Sequence, residues 1–245
     1  MTDISRISRT YYLGFNLPIH LACLLGLIFL NYNPVTLVIM AFVFYILIFG
    51  IGVNVGYHRL ATHNSFVLKH PWMKYPMVFL GLFAMMGGPI VWAQYHRYHH
   101  AFTDTDKDPH SPIKGKLYAH FLWTLNPPSV PAIIVKDLIK DRILGWMNIH
   151  CRSIVIVTLL MAALINQTFL LALLLAMVVS FNVEMSINSL FGHDQQGSKN
   201  TVFLQYLTLG ASLHGNHHVN PKNYNFAIAP GEIDIVKYFI DWIKK

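Results

Sequence analysis

Apolar residues gather into four long runs along this chain, at 12–30, 34–55, 153–165 and 168–183. A helix that crosses a bilayer needs about 20 apolar residues. The first two runs meet that length, and the second two reach it by extending into their polar flanks. No Lys, Arg, Asp or Glu occurs between residues 10 and 58, or between 153 and 183. The turns inside these blocks, Asn31-Tyr32-Asn33 and Asn166-Gln167, are short and uncharged. The pattern predicts two helical hairpins, hence an all-α integral membrane protein with four transmembrane helices. The N-terminal arm, the central segment and the C-terminal segment then lie on one side as a cap. They carry every Lys and Arg, so the positive-inside rule makes that side, with both termini, cytoplasmic. Arg6 and Arg9 precede the first run, but its length and the lack of a small-x-small cleavage site favour a retained helix over a signal peptide.

Composition strengthens this reading. The 245 residues are 54% hydrophobic and 12% charged, with mean hydropathy +0.44, whereas soluble domains carry about 25% charged residues. We read 1–245 as a single membrane domain without internal repeats. The formal charge of +7 suits anionic lipid or an acidic partner. No basic stripe is interleaved with aromatics, so nucleic acid is not expected. Cys23 and Cys151 form no Cys-x-x-Cys pair, which argues against a disulfide framework or a thiolate zinc site.

Fourteen histidines change the picture more than charge does, because of their arrangement: His58 and His63; His96, His99 and His100; His214, His217 and His218. On an α-helix, residues three and four apart share a face. His96 therefore neighbours both His99 and His100, which diverge by about 100° and can serve two adjacent metals. The third cluster repeats this spacing. The spacing of five between His58 and His63 fits one face less well, and a bend is expected there. Imidazole suits Fe, Zn, Cu and Ni. Two irons need roughly eight to ten protein ligands, and no Glu-x-x-His pair of the ferritin-like kind lies in the spans. An all-histidine di-iron site is the simplest reading. His193, directly after the fourth run, is the candidate ninth ligand. His110 and Asp108, just past the second cluster, are candidates to orient a ligand from behind.

A shared site constrains two further segments. The apolar stretch 76–92 contains Gly87-Gly88-Pro89. If it crossed the bilayer, the flanking histidines would lie on opposite faces, so an interfacial or re-entrant segment is expected. At 233–243, Ile233, Val236, Phe239, Ile240 and Ile243 fall at helical spacing beside Lys237. This predicts an amphipathic helix, lying on the membrane or docked on the cap.

These residues resemble the membrane fatty-acid desaturases of the stearoyl-CoA (Δ9) type. The matching stretches are GYHRLATH at 56–63, WAQYHRYHH at 92–100, DKDPH at 106–110, NSL at 188–190 and HGNHH at 214–218. The resemblance covers nearly the whole chain. It implies a cytosolic cap over a di-iron centre, held by His58, His63, His96, His99, His100, His193, His214, His217 and His218. It further implies that Asn188 holds a metal-bound water, although five residues rather than four separate it from His193. Trp92 would line the acyl tunnel. Two departures bear on the substrate. Gln94-Tyr95 stands where acyl-CoA members have Arg-Asp, and Gly210-Ala-Ser-Leu lacks the Gly-Glu of many bacterial relatives. Acyl-lipid and acyl-carrier protein are therefore as open as acyl-CoA.

The activity so implied is O2-dependent desaturation of a fatty acyl chain. No Gly-x-Gly-x-x-Gly fingerprint or fused haem domain is apparent, so a separate electron donor, ferredoxin or cytochrome b5-like, is expected. Arg59, Arg97 and nearby lysines could receive its acidic face, or be ordinary solvated charges. A related di-iron hydroxylase or ketolase is the nearest alternative. A non-catalytic metal transporter is more remote, because transporters carry polar ligands near the midplane and these runs hold only His20.

Overall fold

The computed structural model describes residues 11–194 and 196–245; the arm with Arg6 and Arg9, expected on the cytoplasmic side, lies outside them. In chain order the principal helices are α1 (Tyr12–Phe29), α2 (Pro34–Thr62), α3 (Lys74–Gly81), α4 (Pro89–Phe102), α5 (Arg142–Ile165), α6 (Gln167–Phe191), α7 (His214–Val219) and α8 (Ile235–Ile243). Short helical turns connect α4 to α5. A two-residue hairpin, β1 (His193–Asp194) against β2 (Gly197–Ser198), follows α6.

Helices α1, α2, α5 and α6 are long and apolar enough to cross a bilayer. Their starts follow from local chemistry. Asn33 Oδ1 accepts a hydrogen bond from the Thr36 amide, and Pro34 opens α2. Asn166 Oδ1 accepts from the Phe169 amide. The Asp141 carboxylate accepts from the Ile143 and Leu144 amides. Each satisfies amide donors that a helix start leaves open. The runs at 153–165 and 168–183 are thus the apolar parts of longer helices. The Asn31 amide donates to Gln167 Oε1 at 3.0 Å, so the two inter-helix turns meet at one end of the bundle.

Leu37 and Ala41 of α2 pack with Leu171 and Ala172 of α6. On the outside, Leu24, Ile28, Val38, Phe42, Leu160 and Leu164 are exposed. An apolar surface on this scale suits lipid rather than water.

The stretch at 76–92 is not one segment. Its two helical arms, Pro71–Ala84 and Pro89–Phe102, meet at 80°. The corner is made by Met85 and Gly87, both with positive φ, and Pro89 starts α4 rather than interrupting a helix. Side chains fix the corner. Asn16 Nδ2 donates to the Met85 carbonyl, Tyr57 Oη to the Gly87 carbonyl, and the Gly87 amide to Tyr11 Oη. The first arm lies directly on α2, because a Cβ at Gly52 would fall 2.5 Å from the Gly81 amide nitrogen. The second arm takes its cap from a distance. Asn148 Oδ1 of α5 accepts from the Ile90 and Val91 amides, both at 3.1 Å.

Helix α8 docks on the protein, with Val236, Ile240 and Ile243 buried and Tyr238 and Trp242 exposed. The loop before it is tied to α2 by a fully buried ion pair, Arg59 Nη2 to Asp234 Oδ2 at 2.7 Å. Arg59 also donates to the Tyr224 and Asn54 carbonyls, and Phe226 lies 3.7 Å from the guanidinium carbon. Removing one partner of a buried pair leaves the other charge uncompensated. Arg59→Ala should therefore destabilise the protein by about 3–5 kcal/mol. The check is denaturant unfolding in detergent, with Lys222→Ala as an exposed control.

Candidate metal centre

Four segments deliver the histidines: the end of α2, α4, β1 and α7. The end of α2 explains the spacing of five. From Ile46 to Thr62 the helix is of the π type, with i to i+5 hydrogen bonds, and the His63 amide donates to the His58 carbonyl at 3.1 Å. In a π-helix, residues five apart stand one turn apart, so both rings face the same way. The same device recurs at the end of α6. Residues Ile187–Phe191 form a π turn closed by the Gly192 amide on the Ile187 carbonyl at 2.7 Å. Asn188 lies inside this turn, and His193 follows directly after its closing residue.

All nine histidines converge into two groups. His58, His63, His96, His100 and His217 bring their ring nitrogens within 4.8 Å of one another; His99, His193, His214 and His218 form a second such group. Within the first, the Nε2 atoms of His58 and His217 are 2.8 Å apart, those of His217 and His100 2.9 Å, and those of His100 and His96 3.1 Å. Within the second, the separations are 3.0 Å for His193–His214, 2.9 Å for His214–His218 and 3.3 Å for His99–His218. Two ligands at right angles, each about 2.1 Å from a metal, stand ~3.0 Å apart. The His63 Nε2 atom is buried and without a hydrogen-bond partner, which a metal bond would remedy.

The electrostatics suit cations. Burial, with Arg97, His218 and Arg59 nearby, pushes His63 down to about 3. Burial, then repulsion from His100 and His193, pushes His218 down to about 2. His214 and His217 are lowered for the same reasons. The free lone pair that a metal requires is therefore present at neutral pH. Neither the group of five histidines nor the group of four contains a carboxylate.

Carboxylates act from behind. Asp108 Oδ2 is 2.8 Å from His99 Nδ1, and Asp104 Oδ2 is 3.0 Å from His193 Nδ1. Each accepts the Nδ1 proton and turns Nε2 toward the cluster. Asp108 also accepts from the Asp104 amide, and Ser111 Oγ donates to Asp104 Oδ1. His110 lies with its ring 4.4 Å from that of His99 and has no hydrogen bond at Nδ1. Asp104 was not singled out in the sequence. Its only signal there is a place four residues after His100.

A cavity adjoins the first cluster. Trp92 and His96 stand in its wall, stacked at 4.5 Å, with Asn188 and His110. Tyr12, Met85, Phe181 and Met185 add apolar side chains to its lining, and Glu184 adds a carboxyl. The cavity is narrow, with a volume of about 40 Å³. Gln94 and Tyr95 face inward rather than toward solvent. Both are buried, and they donate to the Val130 and Pro128 carbonyls.

Residues 32–226 match the profile of a family described as fatty acid desaturase. The chain belongs to the fatty acid desaturase family. It is 30% identical to Delta-9 desaturase-like 3 protein of Arabidopsis thaliana, over 91% of this chain and 77% of that one. It is 30% identical to Delta-9 acyl-lipid desaturase 1 of the same plant, over 80% and 68%. It is also 30% identical to sn-1 stearoyl-lipid 9-desaturase of Synechocystis, over 89% and 71%. The chain is thus an oxidoreductase of lipid metabolism, and the clusters are where a desaturase would hold metal.

Arg59 and Arg97 do not offer this desaturase a free basic surface. Arg59 is fully buried, and Arg97 is spent on Asp137 and on the Thr62, Ala61 and Ile134 carbonyls. The orienting carboxylates give a direct test of the site. Asp104→Asn and Asp108→Asn should each weaken metal binding about 10–100-fold, read by competition with a chelator, while the unfolding midpoint of the metal-free protein stays near that of the wild type.

Proposed function

We propose that this desaturase inserts a cis double bond at Δ9 into a saturated acyl chain, carried by CoA or by a lipid. Two irons, one in each histidine cluster, would supply the O2 chemistry that breaks unactivated C–H bonds. The balance is one O2, two electrons and two protons consumed, two hydrogens taken from neighbouring methylenes, and two waters released. The electrons come from a separate ferredoxin or cytochrome b5-like donor. The observation that carries this reading is the shared wall. His96 belongs both to the histidine assembly and to the wall of the narrow, mostly apolar cavity, where Trp92 stacks on it.

The protein's own residues do the positioning. Nine imidazoles would hold the ions, with His99 and His193 fixed by Asp108 and Asp104. Trp92, Met85, Phe181 and Met185 hold the chain and exclude water, so the reacting carbons stay close to the centre. Asn188, in the same wall, would act on the metal through a water. The names of the Arabidopsis and Synechocystis relatives support Δ9 and a lipid-linked chain. The confinement of Lys and Arg to segments outside the charge-free runs supports a cytoplasmic centre with both termini on that side.

Expression in a host without its own desaturase provides the test. Gas chromatography with mass spectrometry of the methyl esters should reveal a Δ9 monounsaturated acid with the wild type and none with His99→Ala. A hydroxylated or keto product would overturn the desaturase reading in favour of oxygen insertion.

A further inference from the structure

The cavity is less hydrocarbon-like than a plain saturated chain requires. Glu184 stands in its wall on α6, one turn before Asn188, and is 7% exposed. Among the described residues, no hydrogen bond or ion pair reaches its carboxyl. It is also the first charged residue after the charge-free run that begins at 153. Two more wall residues carry buried polar atoms without partners, the Asn16 side-chain oxygen and the Trp123 indole nitrogen. Buried polar groups are nearly always paired, and leaving one unpaired is unfavourable. A chain made only of methylenes would fill the space and pair none of the three.

We propose that the acyl chain taken by this site carries a hydrogen-bonding oxygen, a hydroxyl or carbonyl, a few carbons from the reacting methylenes, and that Glu184 selects for it. The placement follows from the helix. Glu184 and Asn188 are four residues, about 6 Å, apart along α6, and Asn188 shares the wall with His96. An oxygen at the depth of Glu184 therefore lies a short stretch of chain from the carbons nearest the histidines. A hydroxyl would both donate to and accept from the carboxyl; a carbonyl would accept from its protonated form. Such a contact discriminates more sharply than shape, because a chain without the oxygen leaves the polar group unpaired. The inference rests on the reading that this cavity takes an acyl chain.

Equilibrium binding to the purified, metal-loaded protein tests it without turnover. A fluorescent octadecanoyl probe is displaced by the unsubstituted octadecanoyl chain, or by chains with one hydroxyl at successive carbons. At one position the hydroxylated chain should bind the wild type about 10-fold more tightly than the unsubstituted chain. Glu184→Gln should keep that preference, Glu184→Asp should weaken it, and Glu184→Leu should abolish it. If Glu184→Leu does not fold, the contrast between Gln and Asp decides. A wild type that binds plain and hydroxylated chains equally, or a preference unchanged in Glu184→Asp or Glu184→Leu, overturns the inference and leaves the acyl-chain reading standing. A wild type that binds neither chain overturns both.

Discussion

Nine imidazole rings stand within reach of one another in two buried groups, and most of the architecture can be traced to keeping them there. Protonated together they would repel strongly, and burial already disfavours their charged forms. Neutral, they present a dense set of lone pairs that metal cations can satisfy. The arrangement is therefore a poor structural core and a good receptacle for metal. Its ligands come from four segments far apart in sequence, so no single helix can set the geometry alone.

Several independent devices set it. The π stretch of α2 aligns His58 with His63. The remote cap from Asn148 fixes the start of α4, and with it the phase of His96, His99 and His100. Asp104 and Asp108 lock two rings from outside. The buried Arg59–Asp234 pair anchors the C-terminal loop whose Phe226 packs against His217 at 4.7 Å. The 80° corner at Met85–Gly88 lets an apolar stretch approach the bundle and then hand its chain to the histidine helix. The cavity opens at that junction, so its walls combine residues of the bundle with residues of the centre.

The four long helices were legible because the stretches 10–58 and 153–183 that make up most of them hold no charged residue, and because short polar turns, with Asn33 and Asn166, divide those stretches. The histidine clusters were legible because three- and four-residue spacings have a fixed meaning on a helix. The spacing of five was not, since π geometry depends on tertiary packing rather than on a local residue signature. The 76–92 corner was half legible. Gly87-Gly88-Pro89 announced a break, but only Tyr11, Asn16, Tyr57 and Asn148 determine its angle. Arg59 read as a surface charge because its partner Asp234 lies 175 residues away. Asp104 and Glu184 were missed for a related reason. Their meaning lies in what they face, His193 in one case and an open cavity in the other.

The claim on which the rest depends is that two irons sit in the two histidine groups. Metal analysis combined with X-ray absorption at the iron edge, on protein purified from iron-replete cells, tests it most directly. Two irons per chain are expected, each surrounded chiefly by imidazole nitrogen. One ion per chain, or coordination dominated by carboxylate oxygen, would contradict it.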